Sequence, residues 1–254
     1  MPGEIKLLNR AFCWLVLSVM LSCAVPAVAE QVMVGQFSAL APGGGLPAGW
    51  EPLNFPNISR HTEYSLVSDL GTTVVRANSE AAASGLIHRY RWSPEKLPWL
   101  VWDWKISHVL SKGDVSTKQG DDYAARVYVA FEFTPEDKNF WQRLRYKVAN
   151  FFSGGELPGS ALNYIWANKA PPGTLVSSPY TGQAKMIVLE SGNAKAGEWL
   201  RERRNIVADY RTAFGRKPPP IMGIAIMTDT DNTGEATTAY YGDIKLTDDR
   251  QVQP

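Results

Sequence analysis

The segment 229–234 has the sequence Asp-Thr-Asp-Asn-Thr-Gly, which is rich in the oxygen ligands that Ca²⁺ prefers. Oxygen donors at positions 1, 3 and 5, followed by a glycine, match the first half of an EF-hand loop. Position 12 is Tyr240 instead of a glutamate, which argues against an EF-hand. Two interpretations stay open: another kind of Ca²⁺ site, or a hairpin turn whose side chains bond their own backbone, which we favour. The candidate metal ligands are Asp229, Asp231, Asn232 and Thr233.

A second set of polar residues lies on a predicted strand. From 123 to 133, apolar or aromatic residues occupy the odd positions, which predicts a half-buried strand. Side chains alternate between the two faces of a strand, so Arg126 and Tyr128 lie together on the face away from the core. Asp122 has the same parity and is expected to join them.

Two further predicted strands contribute polar residues of outward parity. They are 99–106, which carries Asp103, and 240–246, which carries Tyr241 and Asp243. If these strands share one sheet, their outward side chains form a polar patch framed by aromatic rings. The predicted ligand-binding residues are Asp103, Asp122, Arg126, Tyr128, Tyr241 and Asp243.

This patch has three interpretations. Aromatic faces stack on apolar sugar faces, while Asp, Arg and Tyr bind hydroxyl groups, so one is a saccharide-binding surface. A pair of carboxylates would instead support glycoside hydrolysis, and Asp103, Asp122, Glu132 and Asp229 are available for it. The third is a solvated sheet face stabilised by cross-strand ion pairs.

The common catalytic signatures are missing from the sequence. It has no G-x-S-x-G, H-E-x-x-H, P-loop or G-x-G-x-x-G motif. His61, His88 and His108 are widely spaced and lack a metal-ligand rhythm. The chain has 26 basic and 25 acidic residues, and this balance argues against a nucleic-acid-binding protein.

The elements that must position these residues are mainly strands. Many short alternating segments are separated by turn residues, which is typical of a sandwich or a barrel. In the strand at 99–106, Trp102 and Trp104 have core parity. A short helix is expected at 209–214, with Gly215 as its C-terminal stop.

A second helix is predicted at 138–152, where aromatic and aliphatic residues recur at helical spacing beside arginines and a lysine. We favour its packing over one end of the sandwich. The alternative is a basic amphipathic element in peripheral contact with a membrane or partner.

Residues 1–29 have the pattern of a secretory signal peptide. Lys6 and Arg10 precede an apolar run, and Ala27-Val28-Ala29 forms a cleavage site. An uncleaved anchor and a lipoprotein modified at Cys23 are the alternatives. Cleavage removes Cys13 as well as Cys23, so the mature chain has no disulfide and no thiol nucleophile. It also leaves a neutral chain, expected in the periplasm or secreted.

Several short segments, in order along most of the mature chain, carry a family resemblance. They are 46–50 (LPAGW), 83–86 (ASGL), 120–122 (GDD), 126–129 (RVYV), 163–166 (NYIW), 209–211 (DYR), 214–215 (FG), 223–234 (GIAIMTDTDNTG) and 241–244 (YGDI). Together they resemble the bacterial exported family of domain of unknown function 3047. That resemblance implies an exported protein and no established activity. The last third also resembles the end of a galactose-binding-type jelly roll.

The sequence therefore predicts an all-β protein: a jelly-roll-like β-sandwich at 30–254 with one or two short helical insertions. Its first expected function is non-catalytic binding of a glycan or cell-envelope component. An envelope glycan hydrolase or lyase and a structural envelope protein are the alternatives. No cofactor is expected apart from the Ca²⁺ considered above.

Overall fold

The computed structural model describes residues 29–134 and 158–249. Residues 1–28 of the predicted signal peptide (1–29) and the predicted helix at 138–152 lie outside the described residues, so both stay predictions. Within the described ranges, no helix combines the length and apolar character that crossing a bilayer requires.

Two packed β-sheets make up the described fold and confirm the predicted all-β, jelly-roll-like sandwich. The strands are β1 (Gln31–Gly35), β2 (Trp50–Leu53), β3 (Glu63–Asp69), β4 (Thr72–Glu80), β5 (Ala83–Trp92), β6 (Trp99–Ile106), β7 (Arg126–Phe131), β8 (Ser160–Ala167), β9 (Leu175–Ser178), β10 (Thr181–Ser191), β11 (Leu200–Asn205), β12 (Ile221–Asp229) and β13 (Ala236–Thr247). A 3-10 turn (Phe37–Ala39) and one α-helix, α1 (Ile206–Phe214), are the described helical elements.

The six-stranded sheet has the order β11-β6-β13-β4-β3, with β1 also pairing with β13. The seven-stranded sheet has the order β2-β5-β12-β7-β8-β10-β9. Neighbouring strands are antiparallel except for β8 and β10, which are parallel. Strands that follow one another in sequence therefore often lie in different sheets, and this decides which polar residues meet.

Aromatic side chains fill the space between the sheets. Trp102 and Trp104 are fully buried, as their parity predicted. Their rings contact those of Tyr164 and Trp166 on the facing sheet, at centroid distances of 5.3 and 5.9 Å. Burial of large aromatic side chains is a major source of stability in such a core. The described residues contain no cysteine.

Helix α1 begins earlier than predicted. The predicted helix covers 209–214, whereas the observed helix starts at Ile206, where the Asn205 side chain caps the first turn by accepting a hydrogen bond from the backbone N–H of Ala208 (2.9 Å). Gly215 ends the helix with a φ of 69°, as predicted from its glycine.

Strand β7 is shorter than the predicted 123–133. Residues 121–125 are not in a strand, and extended backbone begins only at Arg126. Alternation therefore does not extend back from Arg126 to Asp122. The expectation that Asp122 shares a strand face with Arg126 is wrong for this reason.

Candidate functional site

The outward face of the seven-stranded sheet carries a groove of about 360 Å³. Ala130, Ala161 and Ala184 are neighbours in register on β7, β8 and β10, and all three line this groove. Their methyl groups leave space that larger side chains would occupy. Sites for small molecules have volumes of roughly 300–1,000 Å³, so the groove is large enough to hold a compact ligand.

The walls of this groove are mainly apolar. Leu53, Ile87 and Ala225 form a small cluster on the outward face, against which Phe55 and Tyr128 pack. Each of these five residues lines the groove. A ligand would therefore meet an apolar floor with a small number of polar groups, the usual composition of a small-molecule site.

Arg126 occupies one end of the groove and is only 3% exposed. Its guanidinium donates from Nε to Oδ1 of Asp229 (2.8 Å) and from Nη1 to the hydroxyl of Tyr128 (3.0 Å). Nη2 donates to Oδ2 of Asp229 and to the backbone carbonyl of Asp121. Because its donors are used within the protein, Arg126 acts as the centre of a polar cluster rather than as an open ligand contact.

The end of the groove that Arg126 occupies, which we call the polar end, also contains hydrogen-bond acceptors that lack donors. Asn163 is 2% exposed, and its Oδ1 has no hydrogen-bond partner within the described ranges. The same holds for Oδ1 of Asp121, although Nη1 of Arg126 lies 3.8 Å away as an ion pair. Both residues line the groove. A buried polar atom without a partner is costly, which makes these atoms natural points of contact for a ligand.

Burial changes the ionisation of these groups. It raises the pKa of Asp121 and of Asp231, and neighbouring carboxyl groups raise both further. Burial also raises the pKa of Tyr128 to about 12, so this phenol keeps its proton. Burial opposes the charge on Arg126, but Asp229 and the other acidic neighbours outweigh it and raise the pKa of Arg126, so the guanidinium stays charged.

Tyr180 lies at the mouth of the groove, between β9 and β10. Its hydroxyl donates to Oδ1 of Asn232 (3.1 Å) and is 3.4 Å from the backbone carbonyl of Lys118. The side chain is 42% exposed and lines the groove. Tyr180 thus joins three segments that are distant in sequence and offers a ring face to solvent beside the polar end.

The segment 229–234 is a turn between sheets and not the hairpin that we favoured. It connects β12 of the seven-stranded sheet with β13 of the six-stranded sheet, and these strands do not pair. Gly234 has a φ of 68°, which suits a residue without a side chain.

Three carboxyl groups converge beside this turn. Asp122, Asp229 and Asp231 each offer one oxygen, and these oxygens lie within 4.8 Å of one another. The cluster could hold a metal ion. Asp122 is not among the predicted metal ligands. Two predicted metal ligands, Asn232 and Thr233, instead donate hydrogen bonds to the Asp122 carboxylate, from Nδ2 (3.0 Å) and from the backbone N–H (2.6 Å) respectively.

The six residues predicted to form one ligand-binding patch do not converge. Arg126 and Tyr128 line the groove. Asp122 does not line it and instead accepts a hydrogen bond from the backbone N–H of Thr233 in the turn 229–234. The other three belong to the six-stranded sheet, because β6 and β13 pair there. The expectation of a single patch is wrong for this reason, and the three misplaced residues are Asp103, Tyr241 and Asp243.

Each misplaced residue has a local partner. Asp103 forms an exposed ion pair with Arg201 (2.9 and 3.0 Å). Asp243 accepts hydrogen bonds from the backbone N–H and the hydroxyl of Ser38 (2.9 and 2.6 Å). Tyr241 is fully buried and donates to the backbone carbonyl of Met227 (2.6 Å), so it ties the two sheets together.

The sequence reasoning missed Asn163, Asp121 and Tyr180. Asn163 is a polar residue between the apolar Leu162 and the aromatic Tyr164 on a predicted strand, and its parity is opposite to that of Tyr164, which is a detectable signal. Asp121 and Tyr180 lie in irregular segments, where no periodicity indicates the direction of a side chain.

The chain belongs to a known family. Residues 48–245 match the family described as "Protein of unknown function (DUF3047)", which confirms the resemblance seen in the sequence. No curated protein matches the chain.

Solved structures with low similarity include two glycan-active enzymes. The Trichoderma harzianum endoglucanase 3 from family GH12 aligns with 9% identity and a TM-score of 0.42, over 88% of this chain and 98% of that chain. The glycoside hydrolase domain of Endo-D from Streptococcus pneumoniae R6 aligns with 11% identity and a TM-score of 0.31, over 80% of this chain and 22% of that one.

An exo-beta-agarase aligns with 12% identity and a TM-score of 0.33, over 87% of this chain and 25% of that chain. All three TM-scores are below 0.5.

Proposed function

We propose that the protein is a non-catalytic binding module for a saccharide, and that the groove on the seven-stranded sheet is its binding site. The observation that carries the proposal is the buried amide oxygen of Asn163, which has no hydrogen-bond partner among the described residues and lies in a mainly apolar groove of about 360 Å³. A saccharide presents apolar C–H faces together with hydroxyl groups. It would therefore match both the alanine floor and the polar end.

The polar end supports binding better than hydrolysis. Glycoside hydrolysis needs one carboxyl group as acid and a second as base or nucleophile. Both oxygens of Asp229 accept hydrogen bonds from Arg126, so this carboxylate is held by the protein. Asp121 and Asp231, whose pKa is raised by burial, are the remaining candidates for the acid in the alternative enzymatic function.

Export places this binding outside the cytoplasm in our proposal. The signal sequence at 1–29 supports a mature protein in the periplasm or beyond, where envelope glycans are accessible. N-terminal sequencing of the native protein should give Glu30 as the first residue. A start at Met1, or a lipid on Cys23, would overturn this part of the proposal.

The binding test fills the floor of the groove with a larger side chain. Isothermal titration calorimetry with cellotetraose and other neutral tetrasaccharides should detect binding by the wild-type protein. Ala161→Leu should weaken it by about tenfold or more, since added methylene groups occupy the floor. Circular dichroism confirms that the variant is folded, since overpacking costs roughly 1–3 kcal/mol.

Ala236→Leu is the matched control, because Ala236 is exposed on β13 of the other sheet. Its affinity should equal that of the wild type. Absence of binding by the wild-type protein would favour a structural envelope protein, and release of shorter sugars would favour the hydrolase.

A divalent cation is a second candidate ligand, supported by the convergence of Asp122, Asp229 and Asp231 within 4.8 Å. If Ca²⁺ binds there, millimolar Ca²⁺ should raise the melting temperature, because a ligand of the native state stabilises it. Asp231→Asn should abolish the rise, whereas Asp103→Asn on the other sheet should keep it. A melting temperature that does not respond to Ca²⁺ would remove this candidate.

A further inference from the structure

We infer that the groove selects an amine-bearing saccharide, of which a glucosamine oligomer is the simplest case, over neutral saccharides of equal length. The inference rests on the proposed function, since it assigns the ligand class of the same groove.

The charges that line the groove are unequal. Asp121, Asp229 and Asp231 face it, and Arg126 is the one basic residue among the described lining residues. Arg126 is 3% exposed, and its Nε, Nη1 and Nη2 atoms already donate to Asp229, Tyr128 and Asp121. It pairs with one carboxyl group, so a ligand meets an excess of acidic over basic groups among the described lining residues.

The excess lies at the accessible side of the polar end. Asp231 is half-buried, whereas Asp229 is 3% exposed and bonded on both oxygens. The nearby cation Lys118 is not among the lining residues, and its Nζ lies 5.5 Å from the centre of the Tyr180 ring. An ammonium group on the ligand can therefore reach a carboxyl group that has no arginine of its own.

The buried amide of Asn163 is an independent sign that a polar ligand group is expected here. Asn163 is the register partner of Tyr128 on the neighbouring strand, so both project from the same row of the sheet. The Tyr128 hydroxyl accepts from Arg126 and keeps its own hydrogen to donate. The polar end thus offers a carboxyl group for an ammonium and an amide and a phenol for adjacent hydroxyls.

The test compares three β-1,4-linked tetrasaccharides by calorimetry: those of glucosamine, N-acetylglucosamine and glucose. The full chain should bind the glucosamine tetramer about tenfold more tightly than cellotetraose, and Asp231→Asn should remove that preference. Asp103→Asn should keep it, because Asp103 faces solvent on the other sheet.

The outcomes separate this inference from the proposed function. Equal affinity for the glucosamine and glucose tetramers would overturn the amine preference and leave saccharide binding intact. A preference that survives in Asp231→Asn would also overturn it, because the carboxyl excess would not be the cause. No binding of any tetrasaccharide would overturn both.

Discussion

The outward faces of the two sheets each carry an arginine–aspartate pair of the same bidentate geometry. Arg126 and Asp229 lie on the seven-stranded sheet, with side chains that are 3% and 4% exposed. Arg201 and Asp103 lie on the six-stranded sheet, with side chains that are 55% and 27% exposed. The contacts are alike, and what differs is the access of water.

That difference changes what each pair contributes. In water, the two charges are solvated before they meet, so an exposed pair adds little stability. In a buried site, either charge alone carries a large desolvation penalty, so the folded state is stable only when both members of the pair are present. The buried pair therefore acts as a rigid, satisfied base for the groove, and the exposed pair remains an ordinary surface contact.

Removal of the buried guanidinium should have the largest effect. Arg126→Ala leaves Asp229 buried without its partner, and we expect a loss of about 3–5 kcal/mol in the free energy of unfolding. Urea denaturation measures this loss. The double variant Arg126→Met with Asp229→Asn removes both charges and should recover most of the stability. A double variant no more stable than Arg126→Ala would contradict this account of the pair.

Glu202 tests burial of a carboxyl group without a bonded cation. It accepts a hydrogen bond from Nε1 of Trp104 (3.1 Å), and burial, with a contribution from Glu190, raises its pKa to about 7. The folded state then holds a proton that the unfolded state has lost, so stability should fall as the pH rises from about 4.5 to about 7. We expect about 1–3 kcal/mol over that window.

The measurement is the free energy of unfolding across this pH range for the wild type and Glu202→Gln. The variant should lack this part of the slope. Glu198→Gln, at an exposed position, is the control and should keep the wild-type slope. Identical slopes in the wild type and Glu202→Gln would remove Glu202 as the cause.

The exposed pair should give the smallest effect. Arg201→Ala is the same substitution as Arg126→Ala, against the same partner type, and should cost about 0–1 kcal/mol. Added salt should reduce even this difference, since exposed charges are screened. A loss in the urea midpoint as large as that of Arg126→Ala would show that water access does not separate the two faces.

Local patterns in the sequence were sufficient for several of the strands and for the direction of many side chains. The alternation at 99–106 placed Trp102 and Trp104 in the core, where both are fully buried. The alternation after Arg126 placed it with Tyr128 on one face, and Gly215 marked the end of the helix. These features depend on backbone geometry over a few residues, so short segments encode them.

The composition of the site was decided only by the tertiary structure. Asp229 lies 103 residues from Arg126 in sequence, yet its carboxylate bonds to the guanidinium because β12 pairs with β7. Asp103 appeared equivalent, but β6 belongs to the other sheet. Strand partners are selected by the packing of two whole faces around a shared core, so no local pattern distinguishes the buried aspartate from the exposed one.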